Sequence, residues 1–189
     1  MKLIHYGQLF TKDSILERSK QYGFPNPLAV EMYLWDIEIA AQLQRVDKRL
    51  LLKGGSAAQL YLPIERQRGS VDIDMTVVAS VSKEEILDSL QKIVKDLPSL
   101  SFRRHTPRTR NASLPLVTYL VNAPSALELQ GRRQLEIKAD FLLEDAQLPT
   151  MEVSDVQTFA ADVRRMSIPS PGTCIGDKLL TLAKGSVGI

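Results

Sequence analysis

Apolar and polar positions alternate along the chain in two rhythms, one helical and one extended. Residues 12–22 read as a weak helix, which Pro25 and Pro27 interrupt. From Leu28 to Leu43 apolar residues dominate, with Glu31, Asp36 and Glu38 inserted among them. Pro27 at the first helical position and an apolar face this wide predict a core helix, with Trp35 as packing. Leu50-Leu51-Leu52 reads as a short strand closing on Lys53-Gly54-Gly55-Ser56, and a short helix is expected from Ala57 to Leu62, ended by Pro63. Val71 to Val78 alternates as a strand does. Ser82 and Glu85 form a capping-box pattern that predicts a helix to about Leu97. Leu100–Arg104, Leu116–Val121 and Gln134–Leu143 predict further strands, and Val163–Ile168 an extended segment. After Pro169 and Pro171 a last apolar helix is expected from Cys174 to about Lys184. This order predicts an α+β class, α/β-like in places, with a mixed β-sheet flanked by helices.

A chain of 189 residues suits one large domain, or one domain plus a small helical appendage, and it buries enough surface to need no disulfide or metal staple. With 44% hydrophobic and 24% charged residues, it is neither a disordered chain nor a disulfide miniprotein. Lys and Arg number 24 against 22 Asp and Glu, so any surface for nucleic acid has to come from local clustering. The one cysteine, Cys174, excludes an internal disulfide and a Cys-based zinc site and fits a reducing compartment. The first residues lack the continuous apolar core of a signal peptide, and no apolar run approaches the roughly 20 residues of a membrane helix. A cytoplasmic protein without a membrane segment is expected.

The densest chemical signal is Lys53-Gly54-Gly55-Ser56 followed by Arg68-Gly69-Ser70-Val71-Asp72-Ile73-Asp74-Met75. On a strand, Asp72 and Asp74 project to one face about 6.6 Å apart, while Val71, Ile73 and Met75 take the other. Two carboxylates on one face repel, and a shared divalent cation with a preference for oxygen, such as Mg²⁺, relieves the repulsion. Two-metal sites usually add a third carboxylate. In Leu135-Glu136-Ile137-Lys138-Ala139-Asp140-Phe141, the alternation puts Asp140 on the polar face with Glu136 and Lys138, on the side of the pair if the strands are neighbours. Gly54 and Gly55 stand between a strand and a helix, where backbone can approach a phosphate at a helix N-terminus, and Ser56 adds a hydroxyl. Each piece alone fits an ordinary turn or a solvated strand face; the combination in this order is far more specific.

The arrangement resembles the nucleotidyltransferase superfamily that includes DNA polymerase β. In detail, Lys-Gly-Gly-Ser-Ala-Ala followed by Arg-x-Ser-x-Asp-Ile-Asp-Met is similar to the AbiEii/AbiGii toxin family of bacterial toxin–antitoxin and abortive-infection systems. Gly176-Asp177-Lys178-Leu179-Leu180-Thr181-Leu182-Ala183 resembles the lysine-bearing helix of that family. The resemblance implies a nucleotidyltransferase fold in which Asp72 and Asp74, with Asp140, hold Mg²⁺, expected as two ions. It implies that Gly54, Gly55 and Ser56 cradle the triphosphate of an NTP and that Ser70 and Lys178 contact its phosphates, with Lys53 and Arg68 as further candidates. It implies transfer of a nucleotide monophosphate to an RNA hydroxyl, with tRNA as the expected acceptor, and a cognate antitoxin as partner. Residues 1–45 are then an N-terminal helical segment and 46–189 the nucleotidyltransferase core. Family members continue into further helices, so this core is expected to be truncated at its C-terminal end, leaving Leu179, Leu180, Leu182 and Val187 uncovered.

Arg103, Arg104, His105, Arg108 and Arg110 form a basic stretch, which Arg132-Arg133 extends, and which grips RNA phosphates if it borders the site. Two other readings stay open at this point. One is a nucleotidyltransferase acting on a small molecule or a protein; the other is a noncatalytic nucleotide- or RNA-binding module with the same fold.

Overall fold

The computed structural model describes residues 3–5, 7–105, 115–128, 131, 133–145, 149–153, 155–176 and 179. Helix α1 (Lys12–Gln21) starts on Thr11, whose side chain accepts from the Ser14 N–H. Helix α2 (Pro27–Val46) starts on Asn26, whose side-chain oxygen accepts from Leu28 N, with Pro27 in its first turn. Almost the whole circumference of α2 is buried, so it is the central core helix that its apolar content predicts. Strand β1 (Leu50–Lys53) leads into α3 (Gly54–Gln59), and β2 (Asp72–Val77) follows after a loop. Helix α4 (Lys83–Asp96) carries both halves of the Ser82–Glu85 capping box. Strands β3 (Ser101–His105), β4 (Leu116–Pro124) and β5 (Gln134–Asp145) complete the main sheet.

The sheet runs in the order β1-β2-β5-β4-β3. Only β2 and β5 are parallel; the other pairs are antiparallel. The fold is thus α+β with a mixed sheet flanked by helices. Ile73, Met75, Ile137, Ala139 and Phe141 project into one continuous core with α2 and with Ile86, Leu90 and Ile93 of α4. The alternate residues of β2 and β5, the charged ones, are thereby forced to the opposite face. Four short strands, β6 (Thr150–Val153), β7 (Val156–Gln157), β8 (Asp162–Val163) and β9 (Met166–Pro169), form two ribbons, β6 with β9 and β7 with β8.

Three details differ from the sequence expectation. The short helix begins at Gly54, not Ala57, so the glycine pair is its first turn. The single extended segment over 163–168 is split between two ribbons whose partners, β6 and β7, are too short to show a period. The last helix begins at residue 171, because Ser170 caps it: Thr173 N donates to Ser170 Oγ and Cys174 N to Ser170 O. Leu179 is 61% exposed; Leu180, Leu182 and Val187 lie outside the described residues. No helix among the described residues is long and apolar enough to cross a membrane.

Candidate active site

The parallel register of β2 and β5 sets Asp74 opposite Asp140 and Asp72 opposite Lys138. On the other side of β2, the antiparallel register sets Lys53 opposite Asp74. Strand β4 brings Thr118 opposite Asp140. The face away from α2 and α4 therefore carries a row Lys53–Asp74–Asp140–Thr118 and, one step along, Asp72 beside Lys138. Thr118 Oγ1 donates to Asp140 Oδ1 at 2.6 Å, and Lys138 Nζ donates to Asp140 Oδ2 at 2.6 Å.

The glycine turn lies against this row. Gly54 has φ +67°, in the left-handed region, and a Cβ there would fall 2.1 Å from Asp74 Oδ2. Only a residue without a side chain lets the chain pass from β1 into α3 this close to the carboxylate. A Cβ on Gly55 would meet Ser70 Oγ at 3.2 Å, which puts Ser70 on the turn as well. Ser56 is buried; its hydroxyl donates to the Asp72 carbonyl at 3.4 Å, and its own carbonyl accepts from the Tyr33 hydroxyl at 3.1 Å. Arg68 is exposed on the loop before Ser70, and its backbone N–H donates to Gln59 of α3 at 2.7 Å. The structure thus brings together Lys53, Gly54, Gly55, Ser56, Ser70, Asp72, Asp74 and Asp140 along one rim of the sheet. Lys178 lies outside the described residues.

Negative charge is concentrated here. Burial, and then the Asp140 charge, push the Asp74 carboxyl above its ordinary range; Asp72 adds to the rise, and Lys53 and Lys138 oppose it. The hydrogen bond to Asp140 holds the Lys138 ammonium more firmly protonated than usual, and the charges of Asp140, Asp72 and Asp74 add to that. Among the described residues no group of three His, Cys, Asp or Glu side chains is already drawn together as a metal cage. Asp72 and Asp74 nevertheless offer two carboxylate donors on an accessible face. This suits a hard cation such as Mg²⁺, which takes one or two carboxylates and fills its other positions with water and substrate phosphates.

Sequence reasoning missed one acid. Asp36 of α2 is completely buried, and among the described residues neither of its oxygens has a hydrogen-bond partner of ordinary geometry; Ser56 is the neighbouring donor. Burial first, then the charges of Asp72 and Asp74, push its carboxyl well above the usual range, with the neighbouring Ser56 opposing. In the sequence it is one polar interruption of a helix, and nothing local marks its approach to the β2 carboxylates. The other two acids of α2 are satisfied: Glu31 accepts from Ser125 Oγ and Ala126 N, and Glu38 accepts from the His5 ring, the backbone of Ile4 and His5, and Gln42.

Within the basic stretch, Arg103 and Arg104 do not share one face. Arg103 faces the site side opposite Leu120 and pairs with Glu136 at 2.9 Å. Arg104 stands opposite the buried Tyr119, on the α4 side of the sheet. Strand alternation separates neighbours that a count of charges had grouped. Arg133 pairs with Glu128 at 3.7 Å, and Arg108, Arg110 and Arg132 lie outside the described residues.

Comparisons with known proteins bear on this site. Residues 39–187 match the family model described as "Nucleotidyl transferase AbiEii toxin, Type IV TA system". A crystal structure of a candidate nucleotidyltransferase from H. pylori aligns at 18% identity and a TM-score of 0.46, over 80% of this chain and 57% of its own length. That likeness is too loose to carry weight, and the chain spans little more than half of that protein. No curated protein matches the chain. The family match covers most of the chain, from within α2 through the whole sheet, and the chain belongs to the AbiEii nucleotidyltransferase toxin family of type IV toxin–antitoxin systems.

Proposed function

We propose that the chain transfers a nucleotide monophosphate from an NTP to a hydroxyl of RNA, with tRNA as the acceptor class, in a Mg²⁺-dependent reaction in the cytoplasm. The observation that carries this reading is the glycine turn pressed against Asp74 on a sheet face shared with Asp72 and Asp140. Asp72 and Asp74 hold the metal, expected as two ions, with Asp140 as the third carboxylate of the face. When bound, Mg²⁺ lowers the pKa of the attacking hydroxyl and neutralises the leaving group. Gly54, Gly55, Ser56 and Ser70 line the triphosphate, and Lys53, Arg68 and Lys178 supply positive charge to it. The acceptor oxygen bonds to the α-phosphorus as the bond from that phosphorus to the bridging oxygen breaks. Pyrophosphate leaves with the electron pair, and the hydroxyl proton passes to solvent. Family membership implies an antitoxin partner and growth arrest when it is absent. The test is incubation with Mg²⁺, each labelled NTP and total tRNA. Label in RNA supports the reading; label confined to protein or a small molecule moves the acceptor; no label with any NTP overturns it.

A further inference from the structure

We propose that Lys138 is a built-in counter-ion that competes with the divalent cation for Asp140. Lys138 holds the third carboxylate, and a cation that takes this carboxylate has to displace the lysine. This rests on the metal-dependent reading above and adds the order in which its acids are engaged. Asp72, Lys138, Asp74 and Asp140 occupy a two-by-two patch on neighbouring parallel strands, about 4.8 Å apart across the pair. Three positions of the patch are acidic and one is basic. Lys138 does not lean on Asp72, its cross-strand partner; its ammonium bonds Asp140 Oδ2 at 2.6 Å, and Thr118 takes the other oxygen at 2.6 Å. Both Asp140 oxygens are thereby engaged, and a cation approaching them meets a positive charge already bonded there. The Asp140 side chain is 16% exposed and that of Lys138 43%, so the carboxylate is the fixed partner and the lysine the one with room to leave. Asp72 is exposed and Asp74 half-buried, so a cation engages that pair first and Asp140 only after Lys138 has moved.

The test is Mn²⁺ binding to the full chain, followed by calorimetry, for the unmutated protein, Lys138→Met, Asp140→Asn and the double variant, with circular dichroism as a check on folding. Removing a unit charge a few ångströms from a divalent ion should tighten binding on the order of tenfold in Lys138→Met. Because the gain comes through Asp140, it should largely vanish when Asp140→Asn is already present. Unchanged or weaker binding in folded Lys138→Met overturns the proposal, and so does a gain that persists in full in the Asp140→Asn background. Lys138→Gln, which removes the charge but keeps a donor, answers the same question if the methionine variant does not fold. Asp74→Asn separates the two levels of inference. If it abolishes binding while Lys138→Met gives no gain, the competition alone fails. If the unmutated chain binds no Mn²⁺, or Asp74→Asn binds as well as it does, the metal-dependent reading fails and takes the competition with it.

Discussion

Gly54→Ala is the sharpest single perturbation of the site, because two separate effects act at one atom. The φ of +67° disfavours any residue with a Cβ, at about 1–2 kcal/mol. The new methyl would also lie 2.1 Å from Asp74 Oδ2, 2.9 Å from its Cγ and 3.0 Å from its Cβ. Ordinary contact is about 3.5 Å, so Asp74 has to rotate, at a further ~0.5–1.5 kcal/mol if it leaves its rotamer well. The sum is about 1.5–3.5 kcal/mol, which for a chain of this size lowers Tm by roughly 3–14 °C. Activity should suffer more. If Asp74 holds the metal as proposed, its displacement by about 1 Å should cost on the order of 10²-fold in rate.

Two comparisons make the reasoning refutable. Gly55→Ala places its methyl 3.2 Å from the Ser70 hydroxyl without a left-handed φ, and that hydroxyl can rotate away. It should cost under about 1 kcal/mol. In an Asp74→Ala background the two closest clashing atoms are gone and only the 3.0 Å contact to Cβ stays, so Gly54→Ala should retain the backbone part of its penalty and little more. Thermal melts and labelled-NTP transfer measure all four proteins. A Gly54→Ala protein with unchanged Tm and turnover, or a penalty as large without the Asp74 carboxylate as with it, refutes the claim that glycine is there to admit Asp74.

Further outcomes follow from the same geometry. Asp72→Ala and Asp74→Ala should each abolish label transfer with the far-UV spectrum intact; wild-type turnover in either would sink the catalytic reading. Glu38→Gln should cost about 2–3 kcal/mol at neutral pH, the scale of hydrogen bonds to a charged group. Burial pushes the Glu38 carboxyl up, but hydrogen bonds from the His5 ring, the His5 backbone, Gln42 and Ile4 outweigh it and hold the group below its ordinary 4.5. A depressed acid stabilises the fold above its unfolded pKa and loses that effect as pH falls through its folded value. The gap between Glu38→Gln and the unmutated protein in urea titrations should therefore close below about pH 4.5, and a gap constant to pH 3 would contradict the assignment. Arg103→Glu should impair labelling of tRNA while sparing NTP binding, and Arg104→Glu, on the opposite face, should impair neither; equal loss in both would mean that the register does not decide which arginine meets RNA.

What was legible in the chain was whatever a local period or a local cap decides. The Ser82–Glu85 box marks the start of α4 because both of its hydrogen bonds lie within one turn. Asp72, Asp74 and Asp140 reveal their common face because Ile73, Met75, Ala139 and Phe141 alternate with them and have to be buried. The start of α3 was not legible. Glycine is a poor helix former, so propensity postpones the helix to Ala57, whereas here the left-handed Gly54 makes the turn and opens the helix at once. Lys138 was visible on the polar face, but its choice of Asp140 over Asp72 is a matter of side-chain geometry that period cannot supply. The opposed directions of Arg103 and Arg104 follow from alternation only once β3 is known to pair with β4.

The charge layout implies that the site works against the stability of the empty fold. Asp74 is half-buried beside Asp140 and Asp72, and its raised carboxyl pKa means that the ionised form is disfavoured where it stands, even with Lys53 and Lys138 nearby. Asp74→Asn keeps the shape and removes the repulsion, so it should raise the Tm of the metal-free protein, on the order of 1 kcal/mol in stability. On the proposed reading, a cation should do the same for the unmutated protein by binding. Mn²⁺ at a hundred times its Kd stabilises by about 2.7 kcal/mol, equivalent to roughly 5–11 °C for a domain of this length. The two remedies should exclude each other: Asp74→Asn should melt higher than the unmutated chain without metal, and should lose most of the Mn²⁺-induced rise. Melts of both proteins with and without Mn²⁺, in buffer treated with chelator, decide the matter. If Asp74→Asn melts lower when metal-free, the carboxylate is a structural group held by Lys53 and Lys138. If it keeps the full Mn²⁺ shift, the cation binds elsewhere, and the charge on this face has some other purpose.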